Sequence, residues 1–180
     1  FHGLRTDKPA SSIKREKPAE LSKILPPPLP ASFKITHPKR IVDATTKINK
    51  REVVEFYGRV APLMMEHLKG RPVSLVRAPD GIGSPLFFQK HMESTQLPGI
   101  NLLDQELDPG HAPLLEIAKP QGLWSAAQMN VIEFHTWNAT KTNIDKPDRM
   151  TFDLDPGEGI AWALVQESAH LLREFLHQLG

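Results

Sequence analysis

Two aspartates separated by one residue, Asp153 and Asp155 in TFDLD, are the clearest chemical feature of this sequence. In an extended segment alternate side chains share a face, which sets the two residues roughly 6.5–7 Å apart at Cα. Hard oxygen donors at that spacing suit Mg²⁺ or Mn²⁺, and paired ions can stabilise the attacking and leaving oxygens of phosphoryl transfer. The plainer alternative has Asp155, just before Pro156, capping the next helix while Asp153 is solvated. His135 in VIEFHTW raises a similar choice. If its strand lies beside TFDLD in one sheet, the imidazole and both aspartates face one cleft, with Phe134 and Leu154 buried behind them. Otherwise His135 is a hydrogen-bonded core histidine.

Adjacent aromatics and basic residues widen the set. Phe87 and Phe88 in LFFQK predict one outward and one inward ring, and an outward ring can stack on a nucleic-acid base. Both rings could equally serve packing. Arg40 and Lys50 bracket the polar turn DATTKIN, where a guanidinium and an ammonium together can hold a terminal phosphate. Taken singly, each is an ordinary surface charge.

These side chains need elements to hold them. Asn49 with Glu52 marks a helix start, and Val53, Tyr57, Val60, Met64 and Leu68 recur on one face until Gly70 and Pro72 end it. VSLVRA (73–78) and LFFQK (86–90) flank a turn rich in Gly, Pro and Asp, which predicts a hairpin bringing Arg77 near Phe88. A short apolar run follows at 113–118, then a helix near 121–129. VIEFHTW (131–137) predicts a strand with Ile132, Phe134 and Thr136 on one face and Glu133, His135 and Trp137 on the other, and TFDLD (151–155) alternates likewise. Residues 158–179 predict a closing helix that turns Ile160, Leu164, Leu171, Phe175 and Leu179 towards the core. The fold class is mixed α/β, of the α+β kind.

Composition excludes several classes. No run is long and apolar enough to cross a bilayer and the first residues lack a signal-peptide core, so the expected location is cytoplasmic. With no cysteine among 180 residues, disulfides and thiolate metal sites are excluded, and any metal must sit on Asp, Glu or His. Residues 1–52 carry 12 Lys+Arg against 5 Asp+Glu, whereas 53–180 carry 10 against 16. The basic end suits either a polyanion or a solvated tail. Residues 11–34, with Pro26, Pro27 and Pro28, read as an extended interdomain linker, and the domain is expected to start near Ile35. A first residue other than Met suggests a piece of a longer protein.

Taken together, ITHPKRIVDATTKINKREVVEFY, HLKGRPVSLVRAPDGI, FFQKH, EFHTW and FDLDPGEG resemble, in order, successive motifs of the bacterial DNA ligase D polymerase family. That family belongs to the archaeo-eukaryotic primase superfamily, and the resemblance spans residues 35–180. It implies template-directed addition of nucleotides, with a preference for ribonucleotides, at DNA ends during non-homologous end joining. On this resemblance Asp153 and Asp155 match the metal pair and His135 the histidine near the incoming nucleotide. Phe87 and Phe88 match the aromatics that pack on the template, while Arg40 and Lys50 match the grip on the DNA 5′-phosphate. Arg77 joins that basic surface as a further candidate. Arg40 stands where the family often has Lys, which keeps charge but changes hydrogen-bond geometry.

The opening FHGLRTDKPA resembles the R-x-D-K end of an ATP-dependent ligase domain, as Arg5, Asp7 and Lys8, giving a ligase tail over 1–10. Implied cofactors and substrates are Mn²⁺ or Mg²⁺, nucleoside triphosphates, and ATP for the parent ligase. The implied partners are 5′-phosphorylated DNA ends and the Ku end-binding protein. The family continues into a phosphate-gripping segment and a third metal carboxylate, so this sequence alone is expected to be inactive. Two alternatives remain open: a non-catalytic DNA-end binding module, and a glycosyltransferase whose D-x-D binds a nucleotide-sugar metal.

Overall fold

The computed structural model describes residues 29–95 and 97–179, so Arg5, Asp7 and Lys8 lie outside the described residues. Helix α1 runs over Lys50–Leu68 and starts where a reciprocal cap was legible. The Asn49 side chain accepts from Glu52 N at 3.2 Å, and the Glu52 carboxylate accepts from Asn49 N at 2.8 Å. Two otherwise orphaned donors are satisfied by this exchange. The buried face carries Val54, Tyr57, Ala61 and Leu68, while Val53, Val60 and Met64 pack against the same core from its margin. The expected stripe is therefore rotated slightly about the helix axis.

Five strands form one antiparallel sheet: β1 (Pro72–Arg77), β2 (Phe87–Gln89), β3 (Ile100–Leu102), β4 (Leu115–Ile117) and β5 (Val131–Thr136). Strand β1 is the hub. One of its edges pairs with β5 along almost its full length, and the other is shared by β2 and β4, with β3 outside β4. The hairpin register sets Arg77 opposite Phe87 and Val76 opposite Phe88, one place away from the expected Arg77–Phe88 approach. Between Val76 and Arg77 the β1–β5 ladder skips Ile132, leaving that residue in a bulge. Its carbonyl accepts from the Tyr57 hydroxyl, which ties α1 to the irregular point of the sheet.

Helix α2 (Gln121–Gln128) closes the core against α1. Leu123 and Ala126 of α2 bury against Leu75, Leu115 and Ile117 of the sheet. Gly99 and Gly122 allow a close approach at this seam, because a Cβ on Gly122 would lie 2.5 Å from the Gly99 carbonyl oxygen. The packed unit also reaches into the stretch read as linker: Leu29 and Phe33 lie on the core, and Phe33 meets Trp124 edge-on at 6.4 Å. After β5, the loop is clamped by Arg71, whose guanidinium grips both oxygens of Asp148 at 2.6 Å, and by Lys141 on the buried Glu116 at 2.8 Å.

Two expectations fail beyond this loop. Residues 151–155 form no strand, and Phe152 and Leu154 stay exposed. Alternation marks a segment that fits a half-buried sheet, and without an apolar surface beneath it the ladder is not formed. Helix α3 spans Trp162–Leu179 rather than 158–179 and buries none of its residues. Ile160, Leu164, Leu171, Phe175 and Leu179, expected in the core, are all exposed. The helical period identifies an apolar face without supplying the surface that covers it.

Candidate active site

The open face of the sheet is set by the register. Ser74 pairs with His135 and Val76 with both Glu133 and Phe88, so these side chains share the face turned away from α1 and α2. Strands β2 and β5 lie on either side of β1, roughly 9–10 Å apart. Diagonally across β1, Phe88 and His135 meet edge to face, ring centroids 6.0 Å apart. Two residues back on β5, Glu133 holds the His135 Nε2 at 2.6 Å, fixing the ring. Just past each strand, Lys90 sits over the Trp137 ring at 5.1 Å. The result is a solvent-facing row of an aromatic ring, an oriented imidazole and a cation on an aromatic platform.

Phe87 and Phe88 point to opposite faces as alternation requires, yet both are exposed, at 51% and 58%. The expected inward ring is missing because β2 is short and lies at the sheet edge. Phe87 instead has the Arg77 guanidinium 5.9 Å from its centroid. Arg77 in turn donates to the Met129 carbonyl at the end of α2 and to Gln89, where its charge complements the helix C-terminus. It therefore braces β2 and α2.

Asp153 and Asp155 line a single open depression of about 320 Å³, walled by Ile160 and by Leu164, Val165 and Ser168 of α3. Leu154, between them, lines the same depression, so the depression does not set the two aspartates on a face of their own. The expectation that they sit on a strand beside His135 fails: β5 pairs with β1, and no described strand occupies its other edge. Among the described residues, the one group of three or more His, Cys, Asp or Glu side chains close enough to share an ion includes neither aspartate nor His135. The two carboxylates and the imidazole thus belong to two separate surface features in this structure.

The basic turn is closed by Val42 N donating to the Ile48 carbonyl at 2.8 Å and by Lys50 N donating to the Arg40 carbonyl at 2.8 Å. This brings Arg40 and Lys50 together through their backbones, but not as an exposed pair. Lys50 is only 5% exposed, and its ammonium donates to Thr36 Oγ1 at 3.3 Å. Burial first, and then the nearby Arg40 charge, push the Lys50 pKa below its ordinary value. Arg40 is engaged by the Asp80 carboxylate at 3.1 Å and lines a broad depression of about 660 Å³ with His37 and Lys39. The sequence shows Asp80 only as a residue of the hairpin turn, and nothing local announces that this turn folds back onto residue 40.

Comparison with known proteins bears on all of these features together. The family model for the LigD primase-polymerase domain matches residues 49–180. A Pseudomonas aeruginosa "Multifunctional non-homologous end joining protein LigD" is 45% identical over an alignment covering all of this chain and 22% of that protein. A Mycobacterium tuberculosis "Multifunctional non-homologous end joining DNA repair protein LigD" is 29% identical over 81% of this chain and 20% of its own length. Among solved structures, the "Polymerase Domain from Mycobacterium tuberculosis Ligase D in complex with DNA" superimposes with a TM-score of 0.71 at 28% identity, covering 82% of this chain and 54% of that one. The chain therefore spans about a fifth of the curated relatives it matches.

Proposed function

We infer function from membership: this chain belongs to the LigD primase-polymerase domain family. The function it supports best is template-directed nucleotidyl transfer at broken DNA ends, ahead of sealing in non-homologous end joining. One observation carries this reading: Asp153 and Asp155 line one depression, in a chain whose fold matches a polymerase domain solved with DNA. Their donor set fits a hard divalent ion such as Mg²⁺ or Mn²⁺. Such an ion, when bound, neutralises charge on triphosphate oxygens.

The roles of the chain's own residues follow from their surroundings. Asp153 and Asp155 hold the ion. His135, oriented by Glu133, presents its imidazole to the incoming nucleotide, which requires the 151–155 segment to come up beside β5. Phe88 stacks on a template base on the open face and Phe87 on the opposite face. Arg40 takes the DNA 5′-phosphate by exchanging its Asp80 partner for a phosphate oxygen, and Lys50 adds positive potential from beneath. Arg77 stiffens the strand that carries both rings. Ribonucleotide preference, ATP-dependent sealing and an encounter with Ku belong to the same proposal at the level of the whole protein.

A second reading applies to the chain by itself. Because no third described carboxylate or imidazole joins Asp153 and Asp155, the chain alone binds DNA ends without extending them. The D-x-D glycosyltransferase reading finds no support in a chain of this family. Primer extension on gapped DNA with Mn²⁺, by a longer protein containing this domain, tests the proposal. Nucleotide addition should favour a 5′-phosphorylated gap over a 5′-hydroxyl one, and Arg40→Glu should erase that preference. Equal use of both gaps by the unaltered protein excludes the 5′-phosphate role, and no addition on either excludes the polymerase reading.

A further inference from the structure

Immediately beyond Lys90, His91, Asp108 and His111 converge at the end of β2. The His91 Nε2 lies 2.7 Å from one oxygen of Asp108, and the His111 Nδ1 lies 3.1 Å from the other. The two rings stack with centroids 5.0 Å apart and planes 11° from parallel. One donor atom from each residue falls within 4.8 Å of the other two. Ligand atoms around a tetrahedral zinc, at about 2.0–2.1 Å from the metal, are separated by roughly 3.3 Å, so small side-chain rotations would bring all three onto one ion.

The backbone is already set for this. His91 bridges to Leu114, and Met92 N donates to the Pro113 carbonyl at 3.1 Å, pinning the strand exit beside the loop that carries Asp108 and His111. Asp108-Pro109-Gly110-His111 forms a tight turn, with Gly110 at φ +87. Gln89 and Gln105 donate from their side chains to the carbonyls of His91 and His111, at 3.4 and 3.0 Å. His91 and Asp108 are mostly enclosed while His111 is open to solvent, which leaves the cluster accessible from the His111 side.

We propose that His91, Asp108 and His111 form a binding site for a borderline transition-metal ion, Zn²⁺ or a chemical equivalent, distinct from the Asp153/Asp155 pair. Two imidazole nitrogens and one carboxylate select against Mg²⁺ and Ca²⁺, which prefer all-oxygen sets. An ion here ties the exit of the strand bearing Phe87 and Phe88 to the 104–111 loop, replacing hydrogen bonds between side chains by metal bonds.

The test is titration of the metal-stripped 180-residue chain with Zn²⁺ by calorimetry and with Co²⁺ by visible absorption. One equivalent should bind with the d–d bands of a four- or five-coordinate nitrogen–oxygen site. His91→Ala and His111→Ala should each remove it, and Asp153→Ala and Asp155→Ala should leave it intact. Because a variant could perturb the loop, imidazole NMR of the unaltered chain provides a second readout: Co²⁺ should broaden His91 and His111 before any other histidine. Failure to bind one equivalent of either ion overturns the site, as does binding that survives His111→Ala but is lost in Asp153→Ala.

Discussion

Residues 29–148 and residues 149–179 are built from similar sequence patterns and end in opposite states. The first region wraps α1, α2 and five strands around a core in which Leu115, Ile117 and Leu123 have no solvent exposure. The second carries an alternating strand-like segment and an amphipathic helix, yet not one residue from 151 to 179 is buried. The aspartates on which the proposed chemistry depends lie in the second region. Local pattern can specify a helix and a donor pair, whereas burial requires a complementary surface at long range. The folding body and the candidate metal pair are therefore energetically separable within this chain.

The largest expected effect is on activity. In a longer protein containing this domain, Asp153→Ala or Asp155→Ala should abolish nucleotide addition, while the unfolding free energy of the 180-residue chain changes by no more than about 0.5 kcal/mol. Primer extension and chemical denaturation check the two halves. A large stability loss would show that the aspartates hold the fold together.

Stability should divide the same way. Leu115→Ala or Leu123→Ala should cost about 2–5 kcal/mol, because each empties a site in the packed core. Leu171→Ala or Phe175→Ala on exposed α3 should stay within about 0.5 kcal/mol in this chain. Equal losses in denaturant melts would mean that α3 docks in solution.

How far the sequence could be read follows this same division. Asn49 and Glu52 were legible because a capping box is a contact between residues three apart, and β1, β2 and β5 because their turns and alternation are local. The shared orientation of Glu133 and His135 followed from the period of two. The Arg40–Asp80 and Arg71–Asp148 pairs were not legible, since each joins residues far apart in sequence. Burial of Lys50 was missed for a related reason: it depends on Thr36 and the returning turn, not on neighbours along the helix. Strand β3, three residues long, is too short to alternate visibly.

Smaller effects sharpen the boundary from inside the body. Asn49→Ala should cost about 1 kcal/mol by denaturation, through loss of the reciprocal cap. Tyr57 provides a pH test. Its pKa is raised to about 12, by burial first and by the Glu133 charge second. A folded-state value above the unfolded value of about 10 gives a contribution fully present below about pH 10 and lost as pH rises towards about 12. Tyr57→Phe should flatten that alkaline loss relative to the unaltered chain, at a cost near 1 kcal/mol at neutral pH for the lost bond to Ile132. Identical alkaline profiles would remove Tyr57 as the cause.

The most direct test of the separation is primer extension on 5′-phosphorylated gapped DNA with Mn²⁺ and ribonucleotides, run side by side on the 180-residue chain and on a longer protein that contains it. The longer protein should add nucleotides and the chain alone should not, although its body is folded, because Asp153 and Asp155 lack a third ligand and α3 lacks a docking surface among the described residues. Robust extension by the 180-residue chain would contradict this account and show that its two regions already form a complete site.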